Sequence, residues 1–237
     1  MSFDPYEFDR SPNPFENRYP LGLHLSNTFL WMFLGLMITF GVAIASWLAG
    51  IAPIVFSTVG TIALLIVQLV VVIFLTAMIE NMSVGMAKAC FVAYSALTGL
   101  TFSVYFYLFE LGSLIFVFLV TAVFFGVFGL YGRLTQTDLS SLRPILISGM
   151  VVLLVYGLIT LFVPGLGMLD AVMTLGAVAL FLAYTAYDMQ KVEQYYYYYR
   201  FDPEMLEKAA IFSALQLYLD FINLFIRLLR FLGKRKD

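Results

Sequence analysis

Two aspartates stand in stretches that are otherwise apolar: Asp188 in AYTAYDMQKV and Asp220 in LQLYLDFINLF. If those stretches cross a bilayer, each carboxyl costs about 2.5–3.5 kcal/mol on insertion scales and marks a functional position by default. Around Asp220, the residues Gln216, Asn223 and Arg227 are spaced so that all four share one helical face. The remaining faces are Leu, Ile, Phe and Tyr, so the polar stripe must look into a helix bundle. Tyr184, Asp188 and Lys191 form a similar row. Gln216 and Asn223 also suit plain interhelical hydrogen bonding, and Asp188 is close enough to a span end to reach water. Asp220, in mid-span, is the sharper anomaly.

Asp188 lies about 14 residues before Asp202 and Asp220 about 18 after it, which at about 1.5 Å per residue gives similar membrane depth. Antiparallel neighbours joined by a short turn would therefore bring the two carboxyls together. Two close carboxylates cannot both ionise cheaply, so they tend to share a proton. Such a pair is a pH sensor: protonated it is a hydrogen-bonded clasp, deprotonated it repels itself or holds a cation. Ca²⁺ prefers hard oxygen ligands, and two carboxylates suit a passing divalent ion better than a tight site.

The elements that must hold this pair follow from composition. The chain of 237 residues is 62% hydrophobic and 12% charged, with a mean hydropathy of +0.94. A soluble domain is about 45–50% apolar and about 25% charged, so a soluble enzyme, a nucleic-acid binder and a disordered chain are excluded. From Thr28 to Ile79 there is no Asp, Glu, Lys or Arg, a run long enough for two spans of roughly 20 residues. Charges and Gly/Pro breaks divide the chain into seven spans: 28–49, 53–79, 88–109, 113–131, 145–163, 169–189 and 209–232. The fold class is an all-α polytopic membrane protein. Residues 1–27 read as a polar flexible tail without the features of a cleaved signal peptide, 28–232 as the transmembrane domain, and 233–237 as a basic tail. One cysteine, Cys90, and one histidine, His24 ahead of the first span, exclude a thiolate metal site and an internal disulfide. The run Tyr195–Tyr199 reads as an interfacial aromatic belt, and Asp202-Pro203-Glu204 as the start of a helix.

Arg10, Arg18, Lys88, Arg133, Arg143, Lys191, Arg200 and Lys208 fall on one side of these spans, which makes the N-terminus cytoplasmic by the positive-inside rule. Arg227, Arg230, Lys234, Arg235 and Lys236 conflict with that rule after seven crossings. Either the last segment re-enters or the earlier spans override these charges. Short tails and no targeting segment point to a bacterial plasma (inner) membrane.

With these residues in hand, AYTAYDMQKVEQ, QLYLDFINLFIRLLRFLG and TQTDLSSLRPIL together resemble the transmembrane Bax-inhibitor-motif family (Bax inhibitor, lifeguard) over residues 28 to 232. The resemblance implies seven helices, six surrounding a central seventh, and in bacterial members a pH-sensitive calcium leak. It places the family's di-aspartyl pH sensor on Asp188 and Asp220, with transient Ca²⁺ between them. One departure stands out. In calcium-leaking members a basic residue near the end of span two and an acidic residue earlier in it latch the pore, whereas span two of this chain has Gln68 and no basic residue, and ends Ile79-Glu80-Asn81. The basic partner of such a latch is either missing or supplied by Lys88, Arg133 or Arg227.

The function read from the sequence is a pH-sensitive calcium-leak channel, not an enzyme, with no cofactor beyond the ion it carries. Its partners are the lipid bilayer, Ca²⁺, protons and, as candidates, other membrane proteins; nucleic acid is not among them. An intramembrane aspartyl protease is the enzymatic alternative, but Tyr187-Asp188 is followed by LYLD where that chemistry carries GxGD. A non-transporting membrane scaffold is the third.

Overall fold

A computed structural model describes residues 19–51, 57–162 and 167–236. Seven long helices dominate it: α1 Leu21–Leu48, α2 Thr58–Met78, α3 Val84–Phe102, α4 Leu111–Leu134, α5 Arg143–Phe162, α6 Met168–Tyr199 and α7 Pro203–Leu232. Each belongs to a segment long and apolar enough to cross a membrane. Among the described residues there is no β-strand, only an isolated antiparallel bridge between Phe109 and Arg235. A single turn of helix, Tyr105–Leu108, follows α3, and a 3₁₀ turn, Leu139–Leu142, precedes α5.

The helix starts are chemically ordinary. Ser57 accepts from the Gly60 N–H, Ser83 from Met86 and Asp202 from Met205, each satisfying one of the N–H groups a helix start leaves open. Pro203 then occupies the first turn, where its missing N–H costs nothing. Pro53 and the Pro164-Gly165 break, which the sequence uses to part spans one from two and five from six, lie outside the described residues. So does the N-terminal tail up to residue 18.

α7 is the most buried helix, packed against α6 over the greatest length and against α1, α4 and α3. α2 leans chiefly on α3, and α5 chiefly on α6. Small residues permit the close crossings. A Cβ at Gly132 of α4 would run into the Ala186 backbone of α6, and one at Gly99 of α3 would meet the Thr39 carbonyl of α1. At mid-bundle the Tyr218 hydroxyl donates to Thr39 Oγ1 (2.6 Å), which donates to the Ser95 carbonyl (3.0 Å), tying α7, α1 and α3 in one buried chain.

Several boundaries differ from the sequence reading, and three of them move residues singled out there. α1 begins at Leu21, directly after Pro20, so His24 lies inside the first span and is fully buried. α6 continues through the tyrosine run to Tyr199, leaving only Arg200–Asp202 as the turn. Tyr195 packs on Phe212 of α7 and Tyr196 on His24 of α1, contacts that hold the extra turns in helical form. Lys208 is not a loop cation but a buried residue of α7.

α7 does not re-enter. It is one helix of 30 residues, and its end docks beside the segment joining α3 to α4, opposite the α6–α7 turn. There the Glu110 N–H donates to the Lys234 carbonyl and the Lys236 N–H to the Leu108 carbonyl, both at 3.0 Å. Lys234 Nζ pairs with Glu110 at 2.8 Å, and this carboxylate raises the lysine above its ordinary value.

Candidate functional site

The site is built where α6 and α7 run antiparallel. Asp188 is 6% exposed and Asp220 5%, and the two carboxyls are close enough to act on one another. Both line a cavity of about 250 Å³. The stripe read from α7 is present there: Gln216, Asp220 and Asn223 line the cavity, as do Tyr184 and Asp188 from α6. Asp220 Oδ2 and Gln216 Oε1 are buried with no hydrogen-bond partner among the described residues. Asn223 donates to the Leu219 carbonyl at 2.8 Å, turning its amide N–H groups back on its own helix.

Two predicted members fall outside the cavity. Lys191 lies one turn beyond Asp188, close enough for its charge to be felt there, but its Nζ sits over the Tyr187 and Tyr195 rings at 5.1 and 5.8 Å. Arg227 is displaced toward the far end of α7, beside Arg230, Tyr105 and Tyr156. None of the candidate latch residues reaches the aspartates. Lys88 is paired with Glu207 at 2.5 Å and Arg133 with Glu193 at 3.4 Å. Among the described residues no three His, Cys, Asp or Glu side chains come together, so the acidic chemistry here is that of a pair.

Two further contributors had no sequence signal. Thr76 of α2 and Met150 of α5 complete the cavity wall; in helices apolar on every face, nothing in the residue pattern tells which side looks inward. Gln190 had a signal in hindsight, as the polar residue two places past Asp188. Its Oε1 accepts from the Leu139 N–H at 2.9 Å, and its Nε2 donates to the Thr137 carbonyl at 3.0 Å. The segment TQTDLSSLRP is thereby fixed against the end of α6, with Leu139 packed on Ala186 and Tyr187. Asp138 orders the same turn by accepting from the Ser140 N–H (2.9 Å), which holds its carboxyl below the usual range. Two of the sequence motifs thus meet in space, one turn from Asp188.

The cavity's chemistry is that of two carboxyls, two amides, a phenol and a threonine hydroxyl inside an apolar bundle. A buried carboxylate without a counterion is expensive, so the pair is stable with a proton shared between its oxygens or with a cation taking that proton's place. Among the described residues that line it there is no Ser, Cys, Lys or His, and the GxGD loop of an aspartyl protease is absent from the sequence.

A family model described as inhibitor of apoptosis-promoting Bax1 matches residues 22–237. The inner membrane protein YbhL of Escherichia coli (strain K12) is 37% identical over 235 residues, covering 97% of this chain and 99% of that protein. An uncharacterized protein of Borreliella burgdorferi is 36% identical, covering 90% of this chain and 92% of that one. One of Deinococcus radiodurans is also 36% identical, with 90% of each chain covered.

Proposed function

This chain belongs to the family of inhibitors of apoptosis-promoting Bax1, and from that premise we propose that it is a pH-sensitive calcium-leak channel. Asp188 and Asp220 are its sensor and its ion site. The observation that carries the reading is the pair itself: two buried carboxyls, on facing helices, opening on one cavity in mid-bundle. Sharing a proton, they form a hydrogen-bonded clasp between α6 and α7 that holds a cation only weakly. As pH rises and the shared proton is lost, the pair gains negative charge and a divalent ion can occupy the proton's place. Flux therefore rises with pH. Lys191 is the basic residue that acts on Asp188; its position over two tyrosine rings keeps its ammonium out of the cavity.

The protein resides in a bacterial inner membrane with its N-terminus in the cytoplasm, the side on which most lysines and arginines fall. It needs no cofactor and catalyses no reaction. The test is Ca²⁺ entry into dye-loaded liposomes as external pH is scanned. Wild type should leak, with a rate that rises with pH. Asp188→Asn and Asp220→Asn should each abolish the pH dependence and reduce flux about tenfold or more, the effect of losing one charged ligand at about 1.4 kcal/mol per tenfold. Flux that is absent, or identical in the variants, sinks the proposal. Cleavage of a reporter transmembrane peptide by wild type but not the variants would instead establish the protease.

A further inference from the structure

The stretch from Arg227 to Lys236 puts five basic residues at the end of the bundle where α7 finishes. Three of them are accounted for. Lys234 pairs with Glu110, Arg235 lies over the Phe109 ring, and Lys236 donates from Nζ to the Phe106 carbonyl and lies over Trp47. The carboxylate of Asp170, at the start of α6 on this same end, accepts from the Tyr156 hydroxyl. Arg227 and Arg230 are left. Neither has a carboxylate within ion-pair distance among the described residues.

Their surroundings make this costly. Arg227 is half-buried, and the groups near it are Arg230, one turn on, and the phenols of Tyr105 and Tyr156. Arg230 is exposed and lies near the Tyr105 hydroxyl. Like charges one turn apart on a helix repel, and a half-buried cation without a counterion bears a desolvation penalty. An anion bridging the two guanidinium groups removes both costs. Guanidinium forks match the oxygens of a phosphate, the Tyr105 hydroxyl can add a donor, and basic pockets between transmembrane helices hold lipid head groups.

We propose that Arg227 and Arg230, with Tyr105, form a binding site for a phosphate group, supplied by an anionic phospholipid. The site is separate from the aspartate pair: Arg227 lies two turns beyond Asp220, about 10 Å along the helix at about 1.5 Å per residue, and it does not line the cavity.

The full-length protein in nanodiscs tests this by native mass spectrometry and thermal unfolding. One arm uses phosphatidylcholine alone, one adds phosphatidylglycerol, and one adds inorganic phosphate to the phosphatidylcholine discs. The expected result is retained phosphatidylglycerol and a raised Tm in wild type. In Arg227→Gln/Arg230→Gln, retention should fall more than about tenfold, as two charge-assisted contacts are lost. Arg143→Gln, at the opposite end of the bundle, should behave as wild type. A wild-type Tm raised by inorganic phosphate but not by the lipid would keep the phosphate site and overturn its lipid source. Equal retention in wild type and the double variant, or no preference for either phosphate source over phosphatidylcholine alone, overturns the site. Should the double variant fail to fold, Arg230→Gln alone, at an exposed position, gives the same readout.

Discussion

In α7, 72% of the most apolar stretch is buried inside the protein, while in α2 the figure is 6%. The two helices cross the same bilayer under different constraints. α7 meets protein on most sides, so each of its residues has a defined neighbour, and Gln216, Asp220 and Asn223 are tolerable because they face one another's cavity rather than lipid. α2 presents Ile62, Leu65, Ile66, Leu69, Val70 and Ile73 outward, and beyond Thr76 its polar contribution to the bundle is Gln68, which donates to Thr101 at 2.8 Å. Lipid tails are as apolar as those side chains, so nothing drives α2 tightly onto the bundle. Polarity in this protein is therefore a marker of burial, the reverse of the rule in water.

That contrast can be broken at the residue joining the two helices. Lys208 of α7 donates to the carbonyls of Glu80 and Met82, just past the end of α2, at 3.1 and 3.2 Å. Its Nζ is 3.4 Å from Glu204. Lys208→Met should destabilise the protein by about 1.5–3 kcal/mol, the range for a buried charged hydrogen bond. Hydrogen exchange should then rise at residues 79–82 and leave the centre of α7 protected. Equal loosening of both helices would show that α2 is not held separately.

A smaller effect is expected within α7. Tyr218→Phe removes the donor to Thr39 while keeping the ring packed against Phe91 and Tyr94. Side-chain hydrogen bonds between membrane helices average about 0.6 kcal/mol, and Tm in detergent should fall accordingly. The smallest effect belongs to α2. Leu69→Ala, at a side chain 59% exposed, should change stability by less than about 0.5 kcal/mol. A loss as large as that of Lys208→Met would mean that α2's outer face is covered by protein.

The same contrast explains what could be read in advance. Along α7 the spacing of Gln216, Asp220, Asn223 and Arg227 stands out against apolar faces, and Asp202-Pro203 marks the helix start, so both the site and its helix were legible. In α2 and α5 every face is apolar, so the contributions of Thr76 and Met150 were not. Span six ends at residue 189 in the sequence reading, but with no Gly or Pro before Pro203 the helix continues through the tyrosine run to Tyr199. A first span begun at Thr28 leaves His24 outside it, although no charge separates the two and Pro20 signals the start of α1. Charge counting also misplaces Lys208, since a lysine can stay inside a bundle when two carbonyls and a carboxylate receive its N–H groups.

Infrared titration of the purified protein tests the central claim most directly, because a protonated carboxyl absorbs apart from a carboxylate. A protonated-carboxyl band should disappear as pH rises and, at fixed pH, on adding Ca²⁺. It should be missing from Asp188→Asn/Asp220→Asn. A band that ignores Ca²⁺, or that survives in the double variant, would contradict a pair that exchanges its proton for the ion.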